Sequence, residues 1–128
     1  MSDLFYNEEL ADHSLHPQFF CELDDYDDKI ALSNPSCGDK LTIYIKYTEG
    51  RVTNAGFTGV GCAISKASAD IMCGEIIGKT AGEIVALKDD WKQIPALQDV
   101  QKMPARIKCA SLSWQALEEV AKKVPKRP

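Results

Sequence analysis

Lys40-Leu41-Thr42-Ile43-Tyr44-Ile45-Lys46-Tyr47-Thr48-Glu49-Gly50-Arg51-Val52-Thr53-Asn54-Ala55-Gly56-Phe57-Thr58 reads as two strands and the turn between them. Over residues 40–47, Leu41, Ile43, Ile45 and Tyr47 alternate with Thr42, Tyr44 and Lys46, the period of a strand with one buried face. Thr48-Glu49-Gly50 supplies the turn, and residues 51–58 return alongside. Upstream, residues 29–34 form a shorter strand, so the three runs predict an antiparallel meander. This topology has a chemical consequence. The loop leaving the first strand and the residue following the third lie at the same end of the sheet.

Beyond the meander the period changes. Residues 63–77 read as a helix stopped at Gly78, residues 81–87 as a second helical piece, and residues 91–99 as a loop. Met103-Pro104 punctuates the chain before a last helix over residues 109–123, with Leu112, Ala116, Leu117 and Val120 expected to pack on the sheet. Before the meander, residues 4–13 form a short amphipathic helix that Pro17 interrupts. The block Glu22-Leu23-Asp24-Asp25-Tyr26-Asp27-Asp28 reads as a solvated, mobile loop. The expected fold class is α+β, a small three-stranded antiparallel sheet packed with helices, as one domain over residues 1–128.

A chain of 128 residues with 45% hydrophobic and 27% charged residues has the composition of an ordinary soluble domain. A net charge of −4 argues against a nucleic-acid partner and against adhesion to an acidic membrane surface. The first residues lack a basic and apolar leader pattern, and no apolar run reaches membrane length, so a cytoplasmic location is expected. In a reducing compartment, five cysteines read as reactive or metal-binding groups rather than as a disulfide framework.

Asn34-Pro35-Ser36-Cys37-Gly38-Asp39 places a thiol and a carboxylate two residues apart on a turn that Pro35 and Gly38 favour. Cys62 closes Gly59-Val60-Gly61-Cys62, and Cys109 closes Arg106-Ile107-Lys108-Cys109. Both are expected at or just before a helix start, where unpaired N–H groups lower a thiol pKa, with Lys66 and Lys108 pushing the same way. Three thiolates and a carboxylate make four ligands, which suits tetrahedral zinc or one iron of a small iron–sulfur cluster. A carboxylate at Asp39 is the more weakly held ligand and would let the cargo exchange. On spacing alone, a redox or nucleophilic cysteine and a set of unrelated core thiols stay open beside the metal site.

Asn34-Pro35-Ser36-Cys37-Gly38-Asp39, Gly59-Val60-Gly61-Cys62-Ala63-Ile64-Ser65-Lys66-Ala67-Ser68-Ala69 and Lys108-Cys109-Ala110-Ser111-Leu112-Ser113-Trp114 closely resemble the U-type iron–sulfur scaffold family, which comprises IscU, SufU and the N-terminal domain of NifU. Tyr6 and Asp12-His13 are similar to the family's opening helix. The resemblance implies a SufE/NifU-like α+β fold and a carrier rather than a turnover enzyme. It also implies sulfur received from a cysteine desulfurase of the SufS/IscS kind, and a product passed to apo iron–sulfur proteins. Cys37, Asp39, Cys62 and Cys109 match the family's ligands for Zn2+, iron or a 2Fe-2S cluster. Cys109 matches the sulfur acceptor of the IscU branch, and Cys37 the acceptor of the SufU branch.

Two departures bear on the branch. Lys108 stands where IscU proteins carry histidine, as in SufU, and Met103-Pro104-Ala105-Arg106-Ile107-Lys108 is an imperfect version of the IscU chaperone-docking motif. Cys109 follows Cys62 by 47 positions, without the insertion usual in SufU. The alternative function is therefore a zinc-dependent sulfurtransferase that accepts persulfide sulfur and stimulates the desulfurase without building a cluster. Cys73 is expected as a small buried hydrophobe and Cys21 as incidental. His13 and His16 are expected in surface or capping roles, and Trp91 and Trp114 in packing.

Overall fold

The structure is a computed structural model that describes residues 8–34, 38–61, 63–91, 94, 97 and 104–124. Its elements are α1 (Glu8–Leu15), β1 (Asp28–Asn34), β2 (Asp39–Thr48), β3 (Arg51–Val60), α2 (Ala63–Ile76), α3 (Ala81–Asp90), α4 (Pro104–Gln115) and α5 (Leu117–Lys123). The predicted α+β class holds: β1, β2 and β3 form one antiparallel sheet in that order, with helices packed on it.

The alternation of residues 40–47 sets the sheet's two faces. Leu41, Ile43 and Ile45 are buried, and Ile43 stands between Ile30 on β1 and Phe57 on β3. Glu49 and Gly50 both have positive φ, 55° and 80°, the backbone of a tight two-residue hairpin turn, which glycine adopts without a Cβ penalty. A register shift between Lys46 and Tyr47 breaks the alternation near this turn, leaving Tyr47 half-buried. Tyr44, read as an outward residue, is also buried, because Tyr26 packs edge-on against it with ring centroids 5.2 Å apart.

The acidic run is not a free loop. The segment runs along β3, where Phe57 N–H donates to Phe19 O at 2.9 Å, and passes so close over Gly56 that a Cβ there would lie 2.6 Å from Cys21 O. It ends at the opposite edge, where Asp27 N–H donates to Ile45 O at 2.8 Å and Asp28 opens β1. Its acids are used on the way: Lys46 Nζ donates to Asp25 at 3.0 Å and Tyr47 Oη to Asp28 at 2.7 Å. Backbone donors and basic or phenolic side chains of β2 hold this run, which stays exposed to solvent as its composition implied.

The free side of β3 is covered twice, by Phe19–Phe20 near Phe57 and by residues 78–80 near Val52, where Gly78 N–H donates to Val52 O at 2.7 Å. Pairing at both places shields a strand that would otherwise template aggregation. α2 ends just before Gly78, and α3 opens with a capping box in which Thr80 and Glu83 satisfy each other's backbone N–H.

The last helical region departs from expectation. It begins at Pro104 rather than at residue 109, because proline at the first helical position loses no hydrogen bond. It also divides at Ala116, whose N–H is shared between Leu112 O at 3.3 Å and Ser113 O at 3.2 Å, a local tightening of the turn. Leu112, Ala116, Leu117 and Val120 are buried as expected, but α4 packs chiefly on α2 and α5 on α3, each touching the sheet mainly at β1. Among the described residues no helix is long and apolar enough to cross a membrane.

Candidate functional site

Antiparallel register brings the β1–β2 connection and the end of β3 together. Asn34 pairs with Asp39 as the last step of one ladder, and Lys40 pairs with Val60 as the last step of the other. Asp39, though next to an exposed turn at Gly38 (φ 74°), is 2% exposed. Gly61 is the reason the carboxylate can be there: a Cβ at Gly61 would lie 2.9 Å from Asp39 Oδ1 and 3.1 Å from Ser65 Oγ. Any larger residue would push into both groups. A buried carboxylate, a buried hydroxyl on the first turn of α2 and a gap shaped by a missing side chain thus share the predicted end of the sheet.

Of the four predicted ligands, Cys37 and Cys62 lie outside the described residues, and for Cys109 the backbone alone is described. Among the described residues no three His, Cys, Asp or Glu side chains converge as a metal centre. Cys109 corrects one expectation: it is the sixth residue of α4 rather than a residue at the helix start, where the unpaired N–H groups lie. α2 does begin at Ala63, directly after Cys62. The ammonium of Lys66, on the first turn of α2, lies 4.7 Å from the centre of the Phe20 ring, a cation–π contact.

The helices behind this end are joined by buried polar groups that sequence reasoning passed over. Ser68 Oγ donates to Ala110 O at 2.7 Å and accepts from Trp114 Nε1 at 2.7 Å, with Ser113 Oγ 3.1 Å away. This ties α2 to the turn of α4 that carries Cys109. Asp70, fully buried, accepts from His13 Nδ1 at 2.5 Å and from Phe19 N–H at 2.8 Å, holding α1 and the Phe19 segment to α2. His13 is therefore a half-buried anchor between helices rather than a surface or capping group. A signal existed: α2 carries Ser68 and Asp70 among buried apolar residues, and a buried helix must find partners for such polar groups.

The expectations for Cys73, Trp91 and Trp114 hold. Cys73 is fully buried, and burial, with Asp70 nearby, pushes its thiol far above the usual range. Cys21 is exposed. Trp91 and Trp114 are both buried and stack with centroids 5.9 Å apart.

The model of the NifU-like N-terminal domain matches residues 5–128. The chain belongs to that family. Among its relatives, the iron–sulfur cluster assembly scaffold protein IscU of Thermotoga maritima is 35% identical, with 94% of this chain and 95% of that protein covered. The zinc-dependent sulfurtransferase SufU of Bacillus subtilis is 39% identical, with 91% and 89% covered. The crystal structure of a nitrogen-fixing NifU-like N-terminal domain from Brucella abortus superposes with a TM-score of 0.80 over 94% of each chain, at 21% identity, a likeness of fold. The family membership read from the three motif segments is thus correct, and relatives bearing both candidate functions are near in sequence.

Proposed function

We propose that this protein is a cytoplasmic iron–sulfur assembly scaffold, which takes sulfur from a cysteine desulfurase, holds iron or a 2Fe-2S cluster as cargo, and passes it to apo-proteins. The observation that carries the reading is Asp39, a carboxylate 2% exposed and set against Gly61 at the end of the sheet. Cys37 lies two residues before it in sequence and Cys62 directly follows Gly61. The buried carboxylate and the space at Gly61 fit a four-ligand site of Cys37, Asp39, Cys62 and Cys109. When bound there, a thiophilic metal ion would supply a positive charge that keeps the thiols ionised.

The chain's own chemistry is thiolate attack. The thiolate of Cys37 or Cys109 forms a bond to the terminal sulfur of the desulfurase persulfide, the donor's S–S bond breaks, and the desulfurase cysteine leaves as thiolate. One S–S bond is made and one broken, so no external oxidant or reductant is consumed. Asp39 contributes exchange: an oxygen ligand among thiolates is the one a soft metal releases most easily.

A second reading, the zinc-dependent sulfurtransferase, is favoured by Lys108 and by the relative of that description. Anaerobic incubation with iron, cysteine and a cysteine desulfurase separates the two. A visible 2Fe-2S chromophore that moves to an apo-ferredoxin, is lost in Cys37→Ser and lives longer in Asp39→Ala supports the scaffold. Retained zinc, faster desulfurase turnover and no chromophore would overturn the scaffold in favour of the sulfurtransferase.

A further inference from the structure

Ser65 is fully buried on the first turn of α2, and among the described residues its Oγ has no hydrogen-bond partner. Other buried side chains of this helix are engaged: Ser68 has its partners on α4, and Asp70 its partners in His13 and Phe19. A buried hydroxyl left unpaired is destabilising, and replacing it by a methyl group would relieve that cost. Its setting shows what the hydroxyl is for. Across the gap at Gly61, the same point that lies 3.1 Å from Ser65 Oγ lies 2.9 Å from Asp39 Oδ1 and 3.1 Å from Asp39 Cγ. The hydroxyl and the carboxylate flank the space that a side chain at Gly61 would fill.

We propose that Ser65 is a positioning residue for Asp39: when Asp39 binds a metal through one oxygen, the Ser65 hydroxyl donates to the other. This rests on the metal-site reading above and adds a group to it. A carboxylate that ligates with one oxygen keeps lone pairs on the other, and a fixed donor there orients the carboxylate and slows its departure. The hydroxyl thus sets how long the exchangeable ligand stays on, and Gly61 keeps clear the space in which the two groups meet. A structural hydroxyl would stabilise the chain with or without metal. A positioning hydroxyl stabilises only the loaded site.

The test is zinc release to a chromogenic chelator from the full chain and its Ser65→Ala, Asp39→Ala and double variants, with the thermal midpoint of each zinc-free protein. The expected result is zinc release about 10–100-fold faster in Ser65→Ala, an unchanged or higher zinc-free midpoint, and the same release rate in the double variant as in Asp39→Ala alone. Release at the wild-type rate, equal acceleration in the Asp39→Ala background, or a lowered zinc-free midpoint would overturn the proposal while leaving the metal site standing. Wild-type protein that takes up no zinc would overturn the site itself, and the role of Ser65 with it.

Discussion

Replacing Ser68 by alanine probes the polar tie between the two helices behind the site. The substitution removes one oxygen from a fully buried position, so its packing cost is small. The hydrogen-bond cost is not. Trp114 Nε1–H, in a side chain 1% exposed, loses its acceptor at 2.7 Å, and Ala110 O loses a donor at 2.7 Å while keeping a longer one from Ser113 at 3.4 Å. A stranded buried donor costs about 1–3 kcal/mol and a lost bond about 1 kcal/mol more, so Ser68→Ala should destabilise by about 2–4 kcal/mol. For a domain of this size the melting midpoint should fall by roughly 6–16 °C. Urea unfolding followed by tryptophan fluorescence gives the value, on metal-free protein so that bound ligand adds no stability. Trp114→Phe removes the indole N–H, and in that background Ser68→Ala should cost about 1–2 kcal/mol less. A cost below about 0.5 kcal/mol, or one that is the same in both backgrounds within the usual additivity error, would refute the assignment.

Two further outcomes follow from burial and titration. Cys73 should be alkylated at least about a thousandfold more slowly than Cys21, because its thiol is fully buried and held protonated, and reaction must wait for opening; peptide mapping after timed labelling resolves the two, and equal rates would contradict the packing of α2. Tyr47 should ionise late, since its hydroxyl donates to Asp28, which with partial burial pushes the pKa up to about 12. A raised folded-state pKa means that this bond's contribution is complete below about 10 and disappears between about 10 and 12. Ultraviolet difference titration should show one late tyrosinate step that Tyr47→Phe removes; a late step that survives the substitution would assign it elsewhere.

Local pattern carried much of this fold, and the failures have particular causes. Residues 40–58 declared two strands through period and a turn through Glu49-Gly50, and the meander then fixed which loops meet, so Asp39 and the end of β3 were placed before any coordinate. α4 was misread at both ends. Pro104 works as a helix opener as well as a breaker, and the division at Ala116 comes from a shared N–H rather than from any residue type. The helix-start argument for Cys109 failed with that boundary. The acidic run is solvent-exposed as its charge implied, but the partners that hold Asp25, Asp27 and Asp28 come from β2, about twenty positions away, and were not legible in sequence.

The sequence by itself determined what depends on neighbours along the chain: strand and helix periods, the hairpin, the family and the four candidate ligands. Tertiary structure alone decided what depends on which groups lose water together. It paired His13 with Asp70, gave Trp114 the Ser68 oxygen, and set Ser65 beside Asp39 across Gly61. A polar side chain looks the same in sequence whether it faces solvent or the core. Burial removes its water, and the group that replaces that water is chosen by the packing of helices distant in the chain.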